Sequence, residues 1–353
     1  MGAIRFESVS EKVRFHSPLQ QMELVEVEIE RRRDPLSGRC AIYSNALKDK
    51  GEMFFGPTDH DLIARVAGQS RENCFFCPEH VETTTPRYEE SWLPGGLVKT
   101  GDCFLFPNLF PLSALHAVIA LGKKHVRSLD DFPARLLQDG FSAALQFARS
   151  VHQSDASMSY LTVNANYLFP AGASMVHPHL QLFGGKYPSS RVEQLASDCR
   201  RFRREQGRDY FGLLVEEEQE SGERYVASSG PVHWLAPFAP IGTNEILGIL
   251  PGRPDLLALD GDSLGGLSAG LSKILAYYHR TGFSTFNFTI YSAALGRDDN
   301  PFPVFIRVIC RQNVQANYRT DDYFIQKLLG EELMLTLPED LAGGLRNFWN
   351  AGG

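Results

Sequence analysis

One order of patterns occurs twice along the chain. Residues 102–125 read as an apolar strand, a proline-bearing loop and a second apolar strand, and residues 232–254 repeat that order. A helical stretch follows each, at 128–153 and at about 262–280, and a pair of strands follows each helix. Ordered self-similarity of this kind predicts two related halves, each an α+β unit of mostly antiparallel strands with helices packed on them. In the first helix Ser128 is placed to cap, Asp131 to close a capping box, and Leu136, Leu137, Phe141, Leu145 and Ala148 form one apolar stripe. The second is expected to be capped by Asp262 or Ser263 and ended by Gly282. The division is 1–30 as an irregular lead-in, 31–185 as the first half and 186–353 as the second. Around the join, RVEQLASDCRRFRREQGRDYF reads as a helix across the halves, and EEEQESGER as an exposed loop with Glu216–Glu218 in solvent. A last helix is expected from Thr336-Leu337-Pro338, with proline in its first turn.

Composition narrows the class. A chain of 353 residues with 43% hydrophobic and 22% charged residues can bury a large core. A formal charge of −7 gives no general attraction to nucleic acid or anionic membranes. No apolar run approaches the length of a membrane span, and the charged N-terminus lacks an apolar signal core, so the expected location is cytoplasmic. Of the six cysteines only Cys74 and Cys77 are close in sequence. In a large chain of this class such a pair points to metal or redox chemistry before a disulfide framework.

The stretch SMVHPHLQLFGG (174–185) carries the most chemistry. Taken as a strand over 176–183, it places His177, His179 and Gln181 on one face and Pro178, Leu180 and Leu182 on the other. Pro178 cannot donate to a ladder, which predicts a strand beginning at a sheet edge. The preceding small-residue loop PAGAS (170–174), with Gly172 and Ser174, can turn sharply and offer N–H groups and a hydroxyl to an anion. Histidine is a competent nucleophile toward phosphorus, and an amide such as that of Gln181 can donate to a phosphoryl oxygen as charge builds. Cys74 and Cys77 have zinc-knuckle spacing. With no second CxxC, the remaining ligands must be histidines, from His80, His116, His125 and one of His177 or His179.

Together these stretches resemble the galactose-1-phosphate uridylyltransferase family, a branch of the histidine-triad superfamily. RDPLSGR (33–39) is similar to its N-terminal DPLTG motif, CFFCP (74–78) to its zinc knuckle, and FPNLFP (106–111) to its nucleotide-contacting segment. NYLFPAGASMVHPHLQ (166–181) is similar to its asparagine, phosphate loop and H-P-H-x-Q signature. The resemblance implies two tandem histidine-triad-like halves. It implies one structural zinc held by Cys74, Cys77, His125 and His177. His179 is implied as the nucleophile, with Gln181 stabilising the nucleotidylated state. Asn108, Asn166, Gly172, Ser174 and Arg39 are implied to contact substrate. The implied reaction is ping-pong: a nucleoside monophosphate passes from a nucleoside diphosphate sugar to His179, and then to a sugar 1-phosphate. Relatives that use phosphate as acceptor share the same first-half motifs, and dimers are common among relatives.

The second half departs from that pattern. Where many relatives carry an HWHIE-type strand this chain has Pro303-Val304-Phe305-Ile306-Arg307, and Tyr291 stands where an earlier histidine is expected. The sequence therefore predicts no second metal site, and it leaves the sugar open. Arg307, Arg311 and Lys327 are available to an acceptor phosphate.

Overall fold

A computed structural model describes residues 4–317 and 319–352. In chain order the first half contains β1 (Glu7–Ser17), β2 (Glu23–Arg33), β3 (Cys40–Ser44), α1 (Gly51–Phe55), α2 (His60–Arg71), α3 (Val81–Thr84), β4 (Val98–Thr100), β5 (Cys103–Pro107), β6 (Leu115–Leu121), α4 (Ala134–Ser154), β7 (Tyr160–Tyr167) and β8 (His179–Gly185). The rest contains α5 (Ser190–Gln206), α6 (Tyr210–Ser221), β9 (Tyr225–Ser229), β10 (Val232–Leu235), β11 (Ile246–Ile249), α7 (Gly261–Arg280), β12 (Phe286–Tyr291), β13 (Phe305–Cys310), β14 (Glu332–Met334) and α8 (Pro338–Asn350). Among the described residues no helix is long and apolar enough to cross a membrane.

The two halves share one ten-stranded sheet, in the order β4-β5-β6-β8-β7-β12-β13-β11-β10-β9. The order is a palindrome. Each half runs inward from its own edge, and the two meet at the antiparallel β7–β12 pair, with Asn164 opposite Thr289 and Asn166 opposite Asn287. Gln181 pairs with Asn164, and Arg307 with Thr289. Rotation about the seam thus lays Arg307 on Gln181 and Phe305 on His179.

Strand alternation gives the sheet two unlike faces. Leu161, Val163, Ala165, Leu180 and Leu182 of the first half, with Phe286, Phe288 and Ile290 of the second, pack under α4 and α7 in the main core. The opposite face is covered only at its ends. Val81, Phe104, Phe106, Val118 and Ala120 pack beneath the Cys74–Cys77 turn, with Phe76 against them. On the other side α5 and α6 lay Val192, Phe202, Phe211 and Leu214 over Leu247, Ile249 and Phe305. Between the covers lies a polar row across four adjacent strands: Gln181, Asn164, Thr289 and Arg307.

Several local expectations change. The described part of the expected irregular lead-in, residues 4–30, is not irregular: β1 and β2 form a long two-stranded ribbon, pairing Val13 with Val27 and Phe15 with Val25. Charges on the ribbon's other face hide its period of two. The second strand continues into a sheet of order β1-β2-β3-β14. Glu216–Glu218 is not a loop but part of α6, capped by Asp209, which accepts from the Gly212 N–H at 2.7 Å. Glu218 is buried and bonded by Arg224 at 2.9 Å, whereas Glu216 is exposed and pairs with Arg208. An acidic run therefore straddles two helix faces. Ser128 caps nothing; residues 129–131 form a 3-10 turn, and α4 starts after Pro133, which disfavours helical backbone just before it. Asp260, rather than Asp262 or Ser263, caps α7, accepting from the Ser263 N–H at 2.9 Å. Pro178 lies just before β8, and that strand is central, between β6 and β7, so the expected edge is not there.

Candidate active site and metal centre

Cys74 and Cys77 lie in the turn beyond α2, His125 in the loop after β6, and His177 just before β8. Their four donor atoms lie within 4.8 Å of one another and all four residues are buried. Cys77 Sγ is 3.3 Å from His125 Nδ1 and 3.6 Å from His177 Nδ1, and Cys74 Sγ is 3.9 Å from His177 Nδ1. A zinc tetrahedron with ordinary bond lengths has edges of about 3.6 Å. The imidazoles are set for ligation. The Nε2–H of His177 donates to the Gly122 carbonyl at 3.0 Å, and that of His125 to Ser70 Oγ at 2.9 Å, whose own hydroxyl donates to the Val66 carbonyl. Both Nδ1 lone pairs therefore face the sulfurs. Burial pulls His177 down to about 4, so it is neutral at pH 7. Burial, with Cys74 next to it, pushes the Cys77 thiol up to about 12. A cation among the four donors offsets that cost by favouring thiolate. The donor set thus fits a divalent metal of the zinc kind. His80 and His116 contribute no ligand to it.

His179 opens β8 on the partly open face and is 5% exposed. Its Nδ1–H donates to the His177 carbonyl at 2.8 Å. That bond fixes the tautomer and leaves the Nε2 lone pair free. Burial holds the ring below its ordinary pKa, hence neutral at pH 7. Phe76 packs edge-on against both His177 and His179, so the Cys74–Cys77 turn walls His179 directly.

Gln181 follows two residues on, and His116 of β6 holds it: His116 Nε2 is 3.0 Å from Gln181 Oε1. The Leu112 N–H donates to His116 Nδ1 at 3.0 Å, so the neutral ring carries its proton on Nε2. With Oε1 engaged, the Gln181 NH2 group is left for a ligand. Asn108 Nδ2 also lies 3.1 Å from His116 Nε2. His116 is thus the hub of the site, a role the sequence left open beside metal ligation.

Asn166 is oriented from the second half. Asn287 Nδ2 donates to Asn166 Oδ1 at 2.6 Å and to the Ala171 carbonyl at 2.9 Å, and Arg311 donates to Asn287 Oδ1 while paired with Asp321. Gly172, at φ 89°, has its Cα beside the Asn166 amide, where a Cβ would stand 3.9 Å from Nδ2. The PAGAS loop does not offer its first N–H groups to an anion as expected. Those of Ala171, Gly172 and Ala173 already donate to the Leu168 and Phe169 carbonyls. Ser174 is exposed in the turn before His177. Arg39 is half-buried just before β3, close enough to influence Arg191. Asn287 and Thr289 were not singled out from sequence, although the alternation of FNFTIY places both on one face.

Asn164, Asn166, Gln181, Asn287 and Thr289 line one cleft of about 580 Å³ across the seam. At the position related to His179 stands Phe305, stacked between Tyr291 at 4.8 Å and Phe211 at 4.7 Å. Arg307, related to Gln181, pairs with the buried Glu245. That half of the face is packed core.

No family model matches the chain. A protein of Archaeoglobus fulgidus described as uncharacterized is 30% identical over 322 residues, 91% of this chain and 93% of that one. Among solved structures, an ADP-glucose phosphorylase from Arabidopsis thaliana with bound ADP-glucose is similar at TM-score 0.68 and 20% identity, over 90% of this chain and 98% of that one. A galt-like protein from the same plant aligns at 0.67 and 19%, over 90% and 98%. A uridylyltransferase aligns at 0.66 and 16%, over 91% and 99%. At these identities the structural likeness concerns the fold. The chain belongs to one family with the Archaeoglobus protein, and its fold is the two-half fold of the ADP-glucose phosphorylase, galt-like and uridylyltransferase structures.

Proposed function

We propose that the protein is a nucleotidyltransferase working through a nucleotidyl-His179 intermediate. The observation that carries this reading is the state of His179: neutral, fixed by its Nδ1–H on the His177 carbonyl, and with a free Nε2 lone pair beside Gln181. Nε2 attacks the α-phosphorus of a nucleoside diphosphate sugar. The bond from phosphorus to the bridging oxygen breaks, and sugar 1-phosphate leaves with the electron pair. Positive charge develops on the ring, and the His177 carbonyl stabilises it through Nδ1–H. The Gln181 amide donates to a non-bridging phosphoryl oxygen, and Asn166 does the same from the seam side. An acceptor phosphate oxygen then attacks the same phosphorus and His179 leaves as neutral imidazole. Catalysis rests on positioning and charge stabilisation.

Zinc is the metal we assign to Cys74, Cys77, His125 and His177, and it supplies structural cross-linking only. These residues anchor the chain entering β8, and with it His179. Asn108, Gly172, Ser174 and Arg39 complete the substrate-binding set in this reading. The donor is a nucleoside diphosphate sugar and the acceptor a sugar 1-phosphate. Use of phosphate as the acceptor, the activity named for the Arabidopsis ADP-glucose phosphorylase, is the second reading. The likeness of fold to that enzyme favours it.

The test is His179→Ala. Turnover of donor should fall to background, while metal content and melting temperature match wild type. A variant that retains turnover removes the mechanism.

A further inference from the structure

The guanidinium of Arg191, at the start of α5, is half-buried and makes no hydrogen bond or ion pair among the described residues. Carboxylates nearby are already committed. Asp34 accepts from the Ser37 N–H and hydroxyl, Asp198 pairs with Arg201, and Glu245 with Arg307. Burial, Arg307 and Arg39 together hold Arg191 below the usual guanidinium range. Folding therefore gathers several guanidinium groups here and leaves Arg191 without a carboxylate partner, at a cost that a bound anion removes.

Arg191 also lines the same cleft as Gln181. Tyr291, beside Arg191 in that lining, lies two strands over and two residues along from Gln181. Strand spacing makes this about 12 Å between backbones. That is the scale of a hexose carrying a phosphate at each end.

We propose that Arg191, with Arg39 beside it, is an anion subsite at the far end of the active-site cleft, and that it holds the distal phosphate of an acceptor phosphorylated at both ends. The inference rests on the nucleotidyl-transfer reading for what happens at the near end. The subsite sets acceptor specificity: the near phosphate meets His179 and Gln181, and the far one pairs with Arg191. A guanidinium suits this because it can bind two phosphate oxygens at once.

The experiment measures binding without turnover, in the His179→Ala protein, by calorimetry with glucose 1,6-bisphosphate, glucose 1-phosphate and orthophosphate. The bisphosphate should bind about tenfold tighter than the monophosphate, the worth of one charge-assisted pair. Adding Arg191→Gln should remove that preference while leaving glucose 1-phosphate affinity unchanged and the melting temperature no lower than before, and Arg191→Lys should restore part of it. Equal affinity for the two sugars, a preference that survives Arg191→Gln, no binding of the bisphosphate, or orthophosphate binding as tightly as the bisphosphate would each overturn the proposal. The nucleotidyl-transfer reading fails separately, by the lack of a covalent adduct on wild-type His179.

Discussion

With the Leu112 N–H on its Nδ1, His116 has one nitrogen left, and it spends that proton on Gln181 Oε1. The consequence is a glutamine whose amide hydrogens can point only away from His116. His116→Ala should therefore act through Gln181. We expect kcat for donor cleavage to fall about 10- to 100-fold, less than the roughly 100- to 1000-fold cost of losing a donor to a developing oxyanion outright, because Gln181 is loosened and not removed. Metal content should stay at the wild-type value; a loss of metal would make His116 part of the metal centre instead. At this scale the sequence was informative about residue type and poor about direction. His177 and His179 are two residues apart, yet His177 turns to the sulfurs and His179 does not, because His177 precedes the strand and only His179 lies in it. No period-two argument separates them. Asn287 was missed for a related reason: an asparagine in an ordinary strand becomes significant only once β12 is known to pair with β7.

The Cys74–Cys77 turn is the element on which the site leans, since Phe76 packs on both histidines and the four-residue donor cluster brings three separate segments together. Cys74→Ser should reduce bound zinc well below one equivalent, as read by mass spectrometry of metals, and lower the melting temperature by several degrees. Full zinc occupancy in that variant would contradict the ligand set. Elements with clean periodicity were legible: the stripe of α4, the strands β7 and β12, and the proline start of α8. Those with mixed pattern were not. The β1–β2 ribbon alternates apolar residues with charges and is exposed on both faces, so no buried face advertises it. In α6, Glu218 is buried against Arg224, and an acid in a core position defeats a reading that assigns acids to solvent.

Over the whole molecule, the repeat order in the sequence corresponds to the palindromic sheet. The fusion of both halves into one sheet was not legible, because register across β7–β12 depends on contacts 120 residues or more apart in sequence. The second half retains the frame and fills the position related to His179 with Phe305. The chain's ends meet in the smaller sheet, where β14 pairs with β3. There Glu332 is buried, and burial raises its carboxyl to about 7 although Gln326 and the Leu333 N–H donate to it. Its folded-state value lies above the unfolded one of about 4.5, so the folded chain holds a proton that the unfolded chain has lost between these pH values. Stability should fall as pH rises from 4.5 to 7, by at most about 3 kcal/mol. Glu332→Gln should melt higher than wild type at pH 8 and equally at pH 4.5; identical melting at both would remove the carboxyl from the pH response.

Whether His179 becomes covalently nucleotidylated is the central question, and intact mass spectrometry answers it most directly. Wild-type protein is exposed briefly to a panel of nucleoside diphosphate sugars beside the His179→Ala variant. The account predicts a mass increase of one nucleoside monophosphate on wild type with at least one donor, none on the variant, and discharge by an acceptor phosphate. Turnover of a donor with no adduct at any quench time, or an adduct that persists on the variant, would contradict it.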